Sequence, residues 1–430
     1  MVALLCAWVT VAAATAPYPS VDVTMCDNPY CIGYRTGAEM ASTINRRLRA
    51  DKELPLLRAF FATPQGKAVV EEMALYNCES YPRVHSELAG LVDGSGAAYE
   101  DLLLLSLRPE LSLYLRNASV ASSWWRPLSD GDVPARIEGY GTDYVMRDAG
   151  GAGAIAHNED SSPGSADYAY WITARVNAQP TNASSAPAAA AAAAPPATWS
   201  AFTYAGELPG SAFAASGAGF GFSANAVFPQ HIRVAGYARA FVLRGMLDSA
   251  DAEAAWHAVV AAAPNMSAGV SLSIVEAAAA AAAAHGGAGN NRSSRAWAVE
   301  AGGGAAADVL ALEPAAAYFH ANEFRRLPAA RMPQWPDPSS AHRLGTYMAG
   351  GYARDAIAIA TGVRLLGDAS DKAFPVFRTG ASPQDGGALT LATAVFDGAN
   401  GSLTVMRGNP QLGGVTHRFS FRRVAGLSLE

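Results

Sequence analysis

Six short segments carry the residues whose side chains could do chemistry. IEGYGTDYVM, 137–146, sets the Thr142 hydroxyl beside Asp143 and after Gly141, which has no side chain. AHNED, 156–160, brings His157, Asn158 and the Asp160 carboxylate together, with Asp160 eighteen residues after Thr142 and nineteen after Gly141. TYAGELPGSAF supplies Tyr204 among closely spaced glycines, GAGFGFSANAVFP supplies Asn225, YFHANEF supplies Asn322 and SSAHRLGTYM supplies Arg343. A hydroxyl, a carboxylate, side-chain amides and a guanidinium are groups able to give or take protons and hydrogen bonds. Each residue also has a plainer reading. Asp160 and Asn158 suit a polar strand-end turn, Asn322 a turn, Arg343 a structural ion pair, and His157 the cap of a strand.

The elements that must position these residues follow from periodicity. From about 33 to 116 apolar residues recur with helical spacing, through GYRTGAEMASTINRRL, ELPLLRAFFATPQGKAVVEEMALYN and YPRVHSELAGLVDGSGAAYEDLLLLSLRPEL. Thr63 with Pro64, and Gly-Ser-Gly at 94–96, predict helix starts or stops by capping and by glycine's freedom at positive φ. Glu110 in RPEL is expected to fix this helical region against the rest, and the Trp124–Trp125 pair to pack in the core or over a pocket mouth. Between 138 and 176 the period changes to two and strands take over. Amphipathic helices are predicted over 236–263 and 348–366, and strands over 389–397, 402–407 and THRFSF. Low-complexity Ala, Pro, Ser and Asn at 177–198 and the alanine-rich 277–294 read as loops inserted in this body. Helices together with antiparallel strands imply an α+β layered fold.

The chain has 430 residues, half of them apolar, which is enough for a substantial core, although alanine runs inflate that fraction. A charged fraction of 16% and a net charge of −6 give no footprint for nucleic acid and no polybasic membrane patch, so a small molecule is the expected partner. Residues 1–16, MVALLCAWVTVAAATA, form a short apolar stretch ending in small residues, as a cleavable secretory signal does, and are too short to span a membrane as a helix. A buried N-terminal segment is the alternative. Five Asn-x-Ser sequons, at Asn117, Asn182, Asn265, Asn291 and Asn400, permit glycosylation in a secreted or lysosome-like lumen. Loss of Cys6 with the signal leaves Cys26, Cys31 and Cys78, an odd number. Cys26 and Cys31 could close a small loop with Cys78 free, though three pairings are open. The eight histidines show no ligand-like spacing to these cysteines, and no metal or other cofactor is expected.

Taken in order, ELAGLVDGSGAAYEDLLLLSLRPEL, TYAGELPGSAF, GAGFGFSANAVFP, YFHANEF and TLATAVFDGANGSLTVMRGNP resemble the isopenicillin-N acyltransferase family of N-terminal-nucleophile (Ntn) hydrolases, which includes an insect hydrolase of β-alanyl amines. The resemblance spans nearly the whole chain after residue 16. It implies a four-layer αββα sandwich over 141–430, preceded by a helical region over 17–140. It also implies a precursor that cuts itself before a cysteine, whose thiol becomes the nucleophile while the freed α-amine, titrating near 8, acts as base. Asp160 then matches the residue that orients that amine, Asn322 the oxyanion-hole asparagine, and Asn158 and Asn225 neighbouring site asparagines. Tyr204, Gly206 and LPG at 208–210 match a pocket rim, and Arg343 a buried arginine near the nucleophile.

At the cysteine slot this chain has Gly141, which can attack nothing. Because hairpin length varies by a residue, a cut between Gly141 and Thr142 would instead make Thr142 the nucleophile and leave a two-chain form. Three functions stay open: an amide hydrolase or acyltransferase acting on linear C–N bonds, a catalytically inactive secreted homologue that binds a small amide or acyl ligand, and a ceramidase-like or phospholipase-B-like hydrolase.

Overall fold

The computed structural model describes residues 17–118, 140–176, 197–278, 293–304 and 306–422. The leader, Trp124 and Trp125, Asn182 and Asn291, and most of both alanine-rich loops lie outside the described residues. The region expected to be helical opens with a strand, β1 (Ser20–Val23), because two valines alternate with polar residues and are buried every second position. Next to it Cys26 and Cys31 form a disulfide, and Cys78 is free.

Helices follow, in order α1 (Pro29–Ala50), α2 (Leu54–Phe61), α3 (Pro64–Ser80), α4 (Pro82–Ser95), α5 (Tyr99–Ser106) and α6 (Arg108–Ala118). Asn28 caps α1 by accepting from the Cys31 amide at 2.9 Å, and Thr63 caps α3 by accepting from Gly66 at 2.9 Å. Helix α4 stops at Gly96, whose φ of +65° is open to glycine at no steric cost. α1 and α4 touch backbone to backbone: a β-carbon on Gly33 would stand 1.8 Å from the Glu87 carbonyl oxygen, and one on Gly94 would stand 2.0 Å from that of Tyr34.

Among the described residues, fourteen strands build two sheets. The first runs β1–β4–β5–β6–β7–β8–β9–β10, from β4 (Ala169–Val176), β5 (Ala197–Tyr204), β6 (Phe213–Ser216), β7 (Phe220–Asn225), β8 (Gly269–Glu276), β9 (Ala296–Gly302) and β10 (Ala306–Ala311). The second runs β11–β2–β3–β12–β13–β14, from β2 (Tyr140–Arg147), β3 (Gly153–Ser161), β11 (Ala316–His320), β12 (Leu389–Asp397), β13 (Ser402–Met406) and β14 (Val415–Ser420). Apart from the parallel β1–β4 pair, neighbours are antiparallel.

Two further helix pairs complete the layers. α7 (Arg239–Met246) and α8 (Ala252–Ala262) divide the helix predicted over 236–263, because Asp251 caps a new start by accepting from Ala254 at 2.8 Å. The helix predicted over 348–366 is displaced: α9 (Pro338–Ala349) begins earlier, capped by Asp337, and α10 (Ile359–Leu366) is separate. Gly351, at φ +85°, ends the first of these.

Three cores define the stacking. α1 to α8 bury against one face of the eight-stranded sheet, through residues such as Ile172, Trp199, Phe222, Leu272 and Val299. Trp171, Phe202, Phe213, Ile155, Phe396 and Val405 fill the space between the sheets. Tyr144, Ala156, Leu365 and Leu366 pack α9 and α10 on the outer face of the six-stranded sheet. This is the αββα sandwich. Glu110 ties the helical region to it by accepting from the Arg239 amide at 2.8 Å. No helix among the described residues is long and apolar enough to cross a membrane.

Candidate active site

β2 lies inside the six-stranded sheet between β11 and β3, so its side chains alternate between two environments. Gly141 and Asp143 face the other sheet. Thr142 faces α9, where Arg343 reaches it. The register puts Gly141 opposite Glu159, Thr142 opposite Asn158, and Asp143 opposite both His157 on β3 and His320 on β11.

On the inter-sheet face Gly141 is enclosed. A β-carbon there would stand 2.1 Å from Asn225 Oδ1 and 2.8 Å from His157 Cε1, so a side chain fits only if Asn225 moves. Asp143 beside it is fully buried and accepts four hydrogen bonds: from His157 Nδ1 at 2.7 Å, Ser223 Oγ at 2.9 Å, Asn225 Nδ2 at 2.8 Å and Ser273 Oγ at 2.8 Å. Burial alone would raise its carboxyl, but the charge and hydrogen bond of His157, with Ser273, hold it below the usual range. For His157 burial works the other way, and Asp143 with Glu159 overcomes it to raise the imidazole to about 9. Burial dominates at Glu159 and raises it, although His157 Nε2 lies 3.4 Å away and the Tyr204 hydroxyl donates to it at 2.7 Å. Tyr204, expected on a pocket rim, thus lies between the sheets.

The face toward α9 is built around two buried arginines. Arg343 Nη1 donates to the Gly141 carbonyl at 2.7 Å and to Thr142 Oγ1 at 2.7 Å. Its Nη2 donates to Asn322 Oδ1 at 2.8 Å, and its Nε to the Ser339 carbonyl at 3.2 Å. Burial and the neighbouring Arg378 pull Arg343 down to about 10, while Asp337, Asp160 and Asp385 oppose the change, so the cation is kept at neutral pH. Arg378 Nη1 lies 3.1 Å from Asp160 Oδ2 and its Nε 2.7 Å from Asp385, while Thr390 donates to Asp160 Oδ1 at 2.6 Å. Asn158 shares this face; its amide donates to the Leu366 and Val376 carbonyls and accepts from Thr393 at 2.6 Å, which ties β3 to α10 and β12.

Asn322 reaches the site from the turn after β11. Its amide nitrogen donates to the Ala226 carbonyl at 3.0 Å and its oxygen takes the Arg343 bond. That turn is fixed by a residue the sequence did not single out. Glu300 on β9 accepts from the amides of Arg325, Arg326 and Leu327 at 2.8, 2.9 and 2.9 Å and lies 3.3 Å from His320. Against burial, His320 and these amides lower its carboxyl to about 2. Among the described residues no group of three His, Cys, Asp or Glu could hold a metal ion.

The structure therefore brings Thr142, Asp160, Asn158, Asn322 and Arg343 to one face of β2 and β3, with Asn225 and Tyr204 on the other. His157, expected to be a strand cap, belongs to the inter-sheet network through Asp143. Period-two pairing of 141 with 143 and 157 with 159 could have found that network, whereas Arg378 stands in the unpatterned FPVFRTG and gave no signal.

A family model for acyl-coenzyme A:6-aminopenicillanic acid acyl-transferase matches residues 146–412, more than half of the chain. The chain belongs to this family. The acyltransferase-family match covers Asn158, Asp160, Tyr204, Asn225, Asn322 and Arg343 but begins after Thr142, so position 141 must be read from geometry. No curated protein sequence matches. Among solved structures, a mutant conjugated bile acid hydrolase from Clostridium perfringens is similar at 9% identity and a TM-score of 0.34, over 62% of this chain and 89% of that one.

Proposed function

We propose that this protein is an amide hydrolase or acyltransferase that matures by cutting its own Gly141–Thr142 bond and then uses Thr142 as its nucleophile. The observation that carries this reading is the bridge made by Arg343 Nη1, which holds both the Gly141 carbonyl oxygen and the Thr142 hydroxyl at 2.7 Å. Attack of Oγ1 on the Gly141 carbon moves the bonding pair onto that carbonyl oxygen, where a buried guanidinium already donates. Collapse breaks the C–N bond, with the proton passing to the Thr142 nitrogen, and leaves an ester that water hydrolyses. Thr142 then begins a chain with a free amine able to serve as base. The same hydroxyl would next take an acyl group from a linear amide and pass it to water or to an amine.

N-terminal sequencing of the protein under denaturing, reducing conditions tests this. A fragment beginning at Thr142, lost in Thr142→Val and kept in Thr142→Ser, is the expected result. A chain intact through Thr142 would overturn it. That outcome would favour a non-catalytic homologue that binds a small amide or acyl ligand, a reading supported by Asn225 filling the space beside Gly141. We also propose a secreted or lumenal location, which the Cys26–Cys31 disulfide and the exposed Asn400 turn support. A mass loss on treatment with an N-glycosidase tests that location.

A further inference from the structure

The residue ahead of Gly141, one position back from the bond proposed to be cut, is itself seated in a site. Tyr140 is packed with Leu113, Ala226, Phe228, Ala268, Ile232 and Trp335, its ring 5.3 Å from that of Phe228. The Arg378 guanidinium stands 5.5 Å above the ring. These walls come from α6, from the segment after β7 and from the segments ahead of β8, α9 and β12.

Contacts among the walls join them to one another. The Trp335 amide donates to the Phe228 carbonyl at 2.7 Å, and the Gln230 amide to the Pro333 carbonyl at 2.8 Å, so the two aromatic walls are joined by backbone. The Arg116 guanidinium of α6 stands over the Trp335 ring, 4.4 Å from its centroid. Arg378 is fixed by Asp160 and Asp385. A pocket braced in this way keeps its shape when its occupant leaves.

We infer that the Tyr140 pocket is the acyl-side subsite of the mature enzyme, and that its substrates are amides whose acyl part carries an aromatic ring about one residue's length from the reacting carbonyl. This rests on the proposed cut at Gly141–Thr142. The chain's own Tyr140–Gly141 is then the first acyl group the site handles, with the ring between Phe228 and Arg378 and the carbonyl oxygen on Arg343. An incoming amide placed the same way is attacked by Thr142 Oγ1. Its C–N bond breaks, the amine leaves with a proton, and water releases the acid. The apolar walls favour a ring over an aliphatic chain, and Arg378 adds attraction for its electron-rich face.

Hydrolysis of acetyl-Tyr-Gly and acetyl-Ala-Gly p-nitroanilides by the full-length secreted protein, with every band sequenced at its N-terminus, tests the inference. The expected result is a fragment starting at Thr142 and a kcat/KM at least about tenfold higher for the tyrosyl substrate. Phe228→Leu should shrink that ratio several-fold, as should Trp335→Phe if the first variant does not fold. A fragment starting at Thr142 with a ratio near one, or with neither substrate cleaved, overturns the subsite and leaves the self-cutting reading in place. A chain intact at Thr142 overturns both, since Tyr140 then never leaves the pocket.

Discussion

The two faces of β2 solve opposite problems with neighbouring residues. Toward the other sheet, Asp143 is saturated by four donors and Gly141 has no room for a side chain. Toward α9, one nitrogen of Arg343 is shared between the Gly141 carbonyl and the Thr142 side-chain hydroxyl. The first face is closed and every group on Asp143 is spoken for. The second leaves the Thr142 hydroxyl proton without an acceptor among the described residues, next to a polarised carbonyl. A single strand thus carries a scaffold on one side and a reactive arrangement on the other, and changes on the two sides should fail differently.

The largest effect is expected at Asp143. Asp143→Ala strands a buried imidazolium and three other donors and should cost about 3–5 kcal/mol in a denaturant melt. A loss below about 1 kcal/mol would show that the closed face is not the scaffold. Next comes Gly141→Cys, which supplies a thiol but drives its β-carbon into Asn225. It should destabilise by about 1–3 kcal/mol, and Asn225→Ser in the same chain should recover part of the loss. Additive losses would mean that Asn225 is not what closes the niche. A gentler probe is pH. The folded-state value of His157 is raised to about 9, so its contribution to stability is complete below about 6.5 and is lost as pH rises through 9. Stability in melts should fall across that window, and His157→Gln should flatten the slope.

Much of the fold was legible in the sequence because it rests on local patterns. The period-two runs in YVM, AIA and YWITARV became β2, β3 and β4, and Thr63 and Gly96 bound their helices as capping chemistry requires. The predicted helix over 348–366 failed at the Gly350–Gly351 stop, where apolar spacing continued past a backbone break. At the candidate site, Thr142, Asp160, Asn322 and Arg343, singled out in the sequence, come together on one face, but that sorting onto faces was not legible. That sorting depends on register between strands far apart in sequence. Arg378 and Glu300 were missed for the same reason, since each acts on partners that no spacing rule connects to it.

The pairing of β1 with β4 has a topological consequence. The first strand of the chain is laid into a sheet otherwise made from residues beyond 168, the hydroxyl of Tyr18 reaches the Leu391 carbonyl at 2.9 Å, and α1 to α6 cover that sheet's outer face. Severing the backbone at 141 would therefore double the number of polypeptides without dividing the molecule. The two pieces would stay interleaved like a torn page still bound at both edges, and the newly made terminus would open inside an intact body.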